Sequence, residues 1–138
     1  MRPMHWLFKE EPENYSFDAF VKDGSTVWSG VKNPTARKHL YAVKKGDQVF
    51  YYHTGKEKQI VGIAKAARDA YLDPKDKTGK AAVVDLVPMK KLARPVTLAD
   101  IKADAAFADF ALVRISRLSV MPVTDAQWSR ILKKSESR

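Results

Sequence analysis

The sequence has no cysteine, which excludes a disulfide framework, a thiolate nucleophile and a cysteine-ligated zinc site. Long hydrophobic runs are also missing, and a membrane-spanning helix needs about 20 apolar residues. Residues 1–6 begin no apolar run typical of a signal peptide. His5 and His39 have no neighbouring ligands at a metal-binding spacing. We therefore expect a soluble cytoplasmic protein with no metal and no cofactor.

Positive charge is abundant. The 138 residues include 25 lysines and arginines against 16 acidic residues, a formal net charge of +9. Such an excess favours an anionic partner, nucleic acid above all. The hydrophobic fraction of 45% suits one compact domain of this length, and the polar stretch from Leu72 to Lys80 is interpreted as a loop within it. We expect residues 1–138 to form a single domain, monomeric by default.

Short strand and helix signals are interspersed along the chain. Alternating or continuous apolar residues predict at least five strands, over residues 5–9, 26–28, 48–53, 59–67 and 82–91. Capping side chains predict four short helices, which begin after Ser16, Asn33, Thr97 and Thr124. The helix after Asn33 has Pro34 at its first position, and Gly46 is expected to end it. This pattern predicts an α+β fold in which a small β-barrel or curled mixed sheet is flanked by short helices.

The stretch from Trp28 to Arg37 combines an aromatic ring, a glycine, polar side chains and a helix start. A base that leaves its stack must regain both stacking and hydrogen bonds from the protein that binds it. Trp28 offers a stacking surface, Gly30 allows close backbone approach, and Asn33 offers a donor and an acceptor. Tryptophan is also a frequent core residue, and asparagine before proline a frequent helix cap. Packing and binding therefore remain open for Trp28, and capping is compatible with binding for Asn33.

Five blocks of sequence, in order along nearly the whole chain, resemble the EVE domain family. They are WLFKEEP at 6–12, WSGVKN at 28–33, KGDQVFYYH at 45–53, IVGIA at 60–64 and LSVMPV at 118–123. EVE domains belong to the PUA-like group and are related to YTH domains. The resemblance implies a compact β-barrel with peripheral helices. It also implies a reader that accommodates a modified base, usually methylated or hydroxymethylated cytosine in DNA.

The resemblance and the residue chemistry together predict a base pocket beside a basic surface. Glu10 can accept a hydrogen bond from an exocyclic amine, and strand alternation puts Tyr51 rather than Tyr52 on the same face as His53. The candidate pocket residues are Glu10, Trp28, Ser29, Gly30, Val31, Asn33, Tyr51, His53 and Ser119. The candidate phosphate contacts are Lys9, Lys32, Arg37, Lys38, Lys56 and Lys58.

Two other functions are compatible with the sequence. The first is an RNA-binding module, for tRNA or another structured RNA, where shape and the ribose hydroxyl dominate recognition. The second is a small modified-nucleoside hydrolase in which Lys9, Glu10 and His53 supply a base and an electrophile. Because no nucleophile with an adjacent base is identifiable, we predict no catalytic residues, and we favour DNA over RNA as the partner.

Overall fold

The computed structural model describes residues 4–136, and a curled, mixed sheet forms its centre. Its strands are β1 (His5–Glu10), β2 (Thr26–Trp28), β3 (Gln48–His53), β4 (Gln59–Ala66), β5 (Tyr71–Leu72), β6 (Ala82–Thr97) and β7 (Val120–Val123). The strand order is β2-β6-β4-β3-β1-β7, and β5 also pairs with β6. The pair β1 and β3 is parallel, whereas the other pairs are antiparallel. The predicted α+β class, a curled mixed sheet with short helices around it, is confirmed.

Short helices surround the sheet. They are α1 (Pro12–Tyr15), α2 (Phe17–Asp23), α3 (Pro34–Tyr41), α4 (Leu98–Lys102), α5 (Ala111–Arg114) and α6 (Asp125–Lys134), with a 3-10 turn at Ala105–Phe107. All four predicted caps are confirmed, because each capping side chain accepts a hydrogen bond from the backbone N–H three residues further on. Between residues 4 and 136 there is no helix with the length and apolar character that crossing a membrane requires.

The predicted end of α3 at Gly46 is wrong. The helix ends at Tyr41, and Gly46 lies in the turn before β3 with a φ of +91°. A buried carboxylate holds this turn: Asp47 Oδ2 accepts the backbone N–H of Lys44 at 2.9 Å. The same carboxylate accepts the backbone N–H of Met4 and the indole N–H of Trp6, each at 2.9 Å. The turn is therefore fixed to the start of β1.

Strand alternation divides the aromatic residues between the two faces of the sheet. On the inner face, Tyr51 packs with Trp28 from β2 and with Phe17 and Phe20 from α2. The alternate residues of the strands point to the outer face and pack against helices. The Phe50 ring, for example, stacks on Trp128 of α6. Tyr51 shares the inner face with His53, as the alternation predicts, with ring centroids 5.7 Å apart.

Candidate nucleic-acid interface

Trp28 ends β2 and lies mostly within the inner-face core. Only 7% of its surface is exposed. Its ring centroid lies 5.4 Å from that of Phe8 and 5.5 Å from that of Tyr51, which meets it edge to face. The next two residues, Ser29 and Gly30, are exposed. Trp28 therefore has the packing role that the sequence left open, and the residues that follow it form the accessible part of this stretch.

The loop from Ser29 to Asn33 is attached to helix α3. Gly30 has a φ of +77°, and a Cβ built there would meet nothing within 4 Å, so the space beside it is open. The Arg37 Nε–H donates to the Val31 carbonyl at 2.7 Å, and Asn33 Oδ1 accepts the Ala36 N–H at 3.0 Å. Capping by Asn33 is confirmed. Because the cap uses only Oδ1, the amide Nδ2 is left out of it.

His53 has a partner for each ring nitrogen. Its Nε2 accepts the backbone N–H of Phe17 at 3.0 Å, and its Nδ1 lies 2.9 Å from Glu57 Oε1. These two contacts correspond to a neutral ring with its proton on Nδ1, which donates to the carboxylate. The hydrogen bond from His53 lowers the pKa of Glu57. His53 thus connects the start of α2 to the loop after β3.

Glu10 is the register partner of His53 across the parallel pair, next to Phe8 and Tyr51. Burial raises the pKa of Tyr51, and the negative charge of Glu10 raises it further. The Tyr51 hydroxyl donates to the Tyr15 carbonyl. The structure therefore brings Glu10, Tyr51 and His53 together, with Trp28 in contact with the Tyr51 ring.

Lys9 lies on the outer face, opposite to its neighbours Phe8 and Glu10. Its backbone N–H donates to the Ser119 carbonyl at 2.9 Å, which attaches Ser119 to β1. Its ammonium donates to the Ser116 carbonyl at 2.9 Å and lies 5.7 Å from the centroid of the Tyr52 ring. Burial lowers the pKa of Lys9 and raises the pKa of Tyr52 to about 12.

The six predicted phosphate contacts do not form one cluster. Lys9 and Lys58 line an outer-face cavity of about 260 Å³ together with Lys102, which was not among the sequence candidates. Arg37 and Lys38 line a groove beside α3 of about 500 Å³. Lys32 is exposed in the loop that precedes this helix, and Lys56 lines a third depression whose other charged residues are Glu11, Glu13 and Glu57. Two separate basic surfaces result, one on the outer face and one along α3.

The groove beside α3 is lined by Pro34, Arg37, Lys38, Tyr41 and Lys80. Tyr41 and Lys80 were not among the sequence candidates. The Tyr41 hydroxyl donates to the Lys80 carbonyl at 2.5 Å. The lysines in the loop from Leu72 to Lys80 indicate a basic surface. The sequence around that loop gives no sign that it contacts α3.

Lys9, Glu10 and His53 do not form a common catalytic arrangement. The Lys9 ammonium lies on the outer face, whereas Glu10 and His53 lie on the inner face. Both ring nitrogens of His53 are engaged by the protein. Between residues 4 and 136, His, Asp and Glu form no group of three that could hold a metal ion.

Comparison with known proteins gives consistent matches over nearly the whole chain. The EVE domain model matches residues 4–134. Thymocyte nuclear protein 1 of Gallus gallus is 31% identical, over 97% of this chain and 69% of its own length. Rpa0253 from Rhodopseudomonas palustris is 46% identical with a TM-score of 0.91, covering 96% of this chain and 92% of that chain. Human THYN1 protein, solved in complex with DNA containing 5-methylcytosine, is 28% identical with a TM-score of 0.90, covering 98% and 99%.

Proposed function

Because this chain belongs to the EVE domain family, we propose that it is a DNA-binding module that recognises 5-methylcytosine and has no catalytic activity of its own. The similarity to human THYN1 carries this proposal: that protein was solved with DNA containing 5-methylcytosine, and it matches 98% of this chain. The net charge of +9 supports an anionic polymer as the partner.

The accessible loop after Trp28 is the proposed base-binding segment. Ser29 and Gly30 are exposed, and the open space beside Gly30 allows a base to approach the backbone. Val31 is half-buried against the core, and we assign it to apolar contact with the cytosine methyl group. Asn33 offers its Nδ2 amide, because capping uses only its oxygen.

Hydrogen bonding to the cytosine edge is assigned to the end of β1. A carboxylate accepts a hydrogen bond from the exocyclic N4 amine of cytosine, and Glu10 is the carboxylate beside Tyr51 and His53. In this arrangement His53 and Tyr51 shape the pocket and do not hydrogen-bond the base, because their polar atoms already have protein partners. Ser119, whose carbonyl accepts the Lys9 backbone N–H, is assigned to the same pocket.

The outer-face cavity is proposed to take a backbone phosphate. Lys9, Lys58 and Lys102 line it, and burial of the Lys9 ammonium makes an anionic partner more favourable than it would be in open water. Thr54 also lines the cavity, and its buried Oγ1 has no hydrogen-bond partner among residues 4–136. A phosphate oxygen would accept a hydrogen bond from this hydroxyl once the Thr54 side chain rotates toward the cavity. Lys32 and Lys56 are assigned to more distant phosphates.

The engaged nitrogens of His53 support binding rather than catalysis. A general base needs a free lone pair within reach of the proton that it removes, but His53 Nε2 accepts the Phe17 N–H. Lys9, the other candidate base, lies on the outer face of the sheet, away from the His53 ring. Nucleic-acid binding does not require a free lone pair on His53 or a Lys9 ammonium beside it.

The test is a binding titration with one duplex that carries cytosine, 5-methylcytosine or 5-hydroxymethylcytosine at a single position, and with the matched RNA. The wild-type protein is expected to bind the 5-methylcytosine duplex most tightly. Equal affinity for methylated and unmodified DNA would overturn the proposal. Tighter binding to the unmodified RNA would overturn it in favour of RNA recognition.

Variants of Asn33 separate its two roles. Asn33→Ser keeps a good helix cap but removes the Nδ2 amide, so we expect retained stability and a weaker preference for 5-methylcytosine. Asn33→Ala removes both the cap and the amide, and is expected to lower stability by about 1 kcal/mol as well. An unchanged base preference in Asn33→Ser would remove Asn33 from the pocket.

Thr54→Val tests the outer-face cavity, with weaker binding expected for all duplexes.

A further inference from the structure

The groove beside α3 is a candidate surface outside the proposed base pocket. The lining residues are Pro34, Arg37, Lys38, Tyr41 and Lys80, so every charged side chain in it is a cation. Tyr41 is 41% exposed, which is high for a large aromatic side chain that also makes a hydrogen bond. An aromatic surface surrounded by cations suits a ligand with flat bases and negative charges.

The Tyr41 ring is held in place from the far side of the groove. Its hydroxyl donates to the Lys80 carbonyl. The loop that carries Lys80 is fixed in turn by Asp76, whose Oδ2 accepts the backbone N–H groups of Lys80 at 3.0 Å and Ala81 at 2.7 Å. The hydrogen bond from the Thr78 hydroxyl, together with those from these backbone N–H groups, lowers the pKa of Asp76. A ring fixed before binding loses little conformational freedom when a ligand stacks on it.

The groove is connected to the loop that carries the proposed base pocket. Arg37 lines the groove and donates through Nε to the Val31 carbonyl. Helix α3 spans eight residues between Asn33 and the groove's far end at Tyr41, a length of about 12 Å at about 1.5 Å per residue. A strand that runs along α3 from the loop would therefore bring a nucleotide close to the modified base onto the Tyr41 ring.

We propose that the groove binds an unpaired nucleotide of the DNA strand that delivers 5-methylcytosine, close to the modified base along that strand. The base stacks on Tyr41, and the adjoining phosphates pair with Arg37, Lys38 and Lys80. This inference rests on the proposed function for the identity of the strand, whereas the stacking surface is independent of which modification the pocket reads. The charge of the lining favours nucleic acid over an apolar or basic protein partner.

The experiment compares blunt methylated duplexes with the same duplexes extended by a single-stranded overhang of four nucleotides, on the 5′ or the 3′ side. For the wild-type protein we expect one of the two overhangs to raise affinity at least about five-fold, as expected for one stacked base. Tyr41→Leu is expected to lose this gain. Tyr41→Phe is expected to keep most of it, because the ring remains although the hydroxyl bond to Lys80 is removed.

The controls separate this inference from the proposed function. Ile115→Ala removes another exposed apolar side chain and is expected to keep the overhang gain. Preference for methylated over unmodified blunt duplex is expected to be equal in wild type and Tyr41→Leu. A wild-type protein with no methyl preference but with a Tyr41-dependent overhang gain would overturn the proposed function and keep the stacking surface.

Three results would overturn the inference itself. They are an overhang that adds no affinity on either side, a Tyr41→Leu variant that keeps the gain, and an overhang gain that poly-glutamate abolishes at matched charge concentration. The last result would identify the groove as a binding site for acidic protein segments.

Discussion

The ring of Phe17 lies directly on Gly62, so closely that a Cβ at Gly62 would come within 2.3 Å of the ring. Gly62 is in the middle of β4, where glycine otherwise weakens a strand. The contact explains the glycine in the IVGIA block, because any larger residue would displace Phe17. Phe17 also begins α2 and donates its N–H to His53. The glycine therefore supports both the core and the position of His53.

Gly62→Ala is expected to destabilise the protein by about 1–3 kcal/mol, the range for overpacking a well-filled core. Denaturant unfolding measures this change in the free energy of unfolding. The double variant Gly62→Ala with Phe17→Leu is expected to be less destabilised than the sum of the two single variants, because the smaller side chain makes room for the methyl group. Strict additivity would show that Phe17 is not what makes glycine necessary.

Removing the His53 ring should leave the buried Phe17 N–H without an acceptor. His53→Ala is expected to lower the free energy of unfolding by about 1–3 kcal/mol, the cost of an unsatisfied buried donor, in addition to the effect of poorer packing. His53→Gln, which can present a side-chain oxygen near the former Nε2 position, is expected to recover part of this stability. If alanine and glutamine are equally destabilising in thermal unfolding, the hydrogen bond to Phe17 contributes little.

The Asp47 carboxylate accepts three N–H groups, and no other side chain in the described part of the chain makes these bonds. Asp47→Ala is expected to cost more than about 2 kcal/mol, because the buried Trp6 indole N–H and the part-buried Met4 and Lys44 N–H groups lose their acceptor. Asp47→Asn is expected to fall between alanine and wild type, since one oxygen remains. Thermal unfolding of the three proteins measures the difference.

The hydrogen bond between His53 and Glu57 predicts a specific pH dependence. The folded-state pKa of Glu57 is lowered, so the contribution of its charge is present above the unfolded pKa and is lost as pH falls through the folded value. We expect Glu57→Gln to have a lower Tm than wild type near neutral pH. This difference should shrink below about pH 4.3, the ordinary range of glutamate. A difference that stays constant down to pH 2 would contradict an explanation based on the charged carboxylate of Glu57.

The basic residues along α3 predict how salt affects DNA binding. Lys32→Ala combined with Arg37→Ala is expected to weaken binding to all duplexes and to reduce the slope of log affinity against log salt by about 0.9 for each phosphate that the variant no longer neutralises. The matched control is Lys65→Ala with Lys90→Ala, which removes two exposed lysines outside both basic surfaces. An equal change in slope for both pairs would indicate a diffuse charge effect without defined phosphate contacts.

Local signals in the sequence were sufficient for the caps and for the face of Tyr51. Capping by Ser16, Asn33, Thr97 and Thr124 depends on residues three positions apart, and strand alternation depends on neighbours. The same alternation separates Lys9 from Phe8 and Glu10, whereas charge alone groups Lys9 with the cations of α3. Charge carries no information about which face of a strand a side chain occupies.

Contacts between distant segments were not predictable from one sequence. Tyr41 and Lys80 meet because the loop that follows β5 folds back onto α3. The spacing of apolar residues in the sequence does not predict where that loop packs. The burial of Trp28 depends on Phe8 and Tyr51, which come from two other strands. The sequence showed which chemical groups were present in the candidate site, whereas the sheet order determined which of them meet.

The position of β1 between β3 and β7 has a consequence for the order of folding. His5 pairs with Gln48 on one side and with Val123 on the other, so β1 is complete only when nearly the whole chain is available. Contacts of such high sequence separation slow folding, because a long loop must close before they form. During synthesis the hydrogen bond from the Lys9 N–H to the Ser119 carbonyl cannot form until Ser119 has been added to the chain. Ser119, one of the candidate pocket residues, can therefore join β1 only after the chain has been synthesised up to that residue.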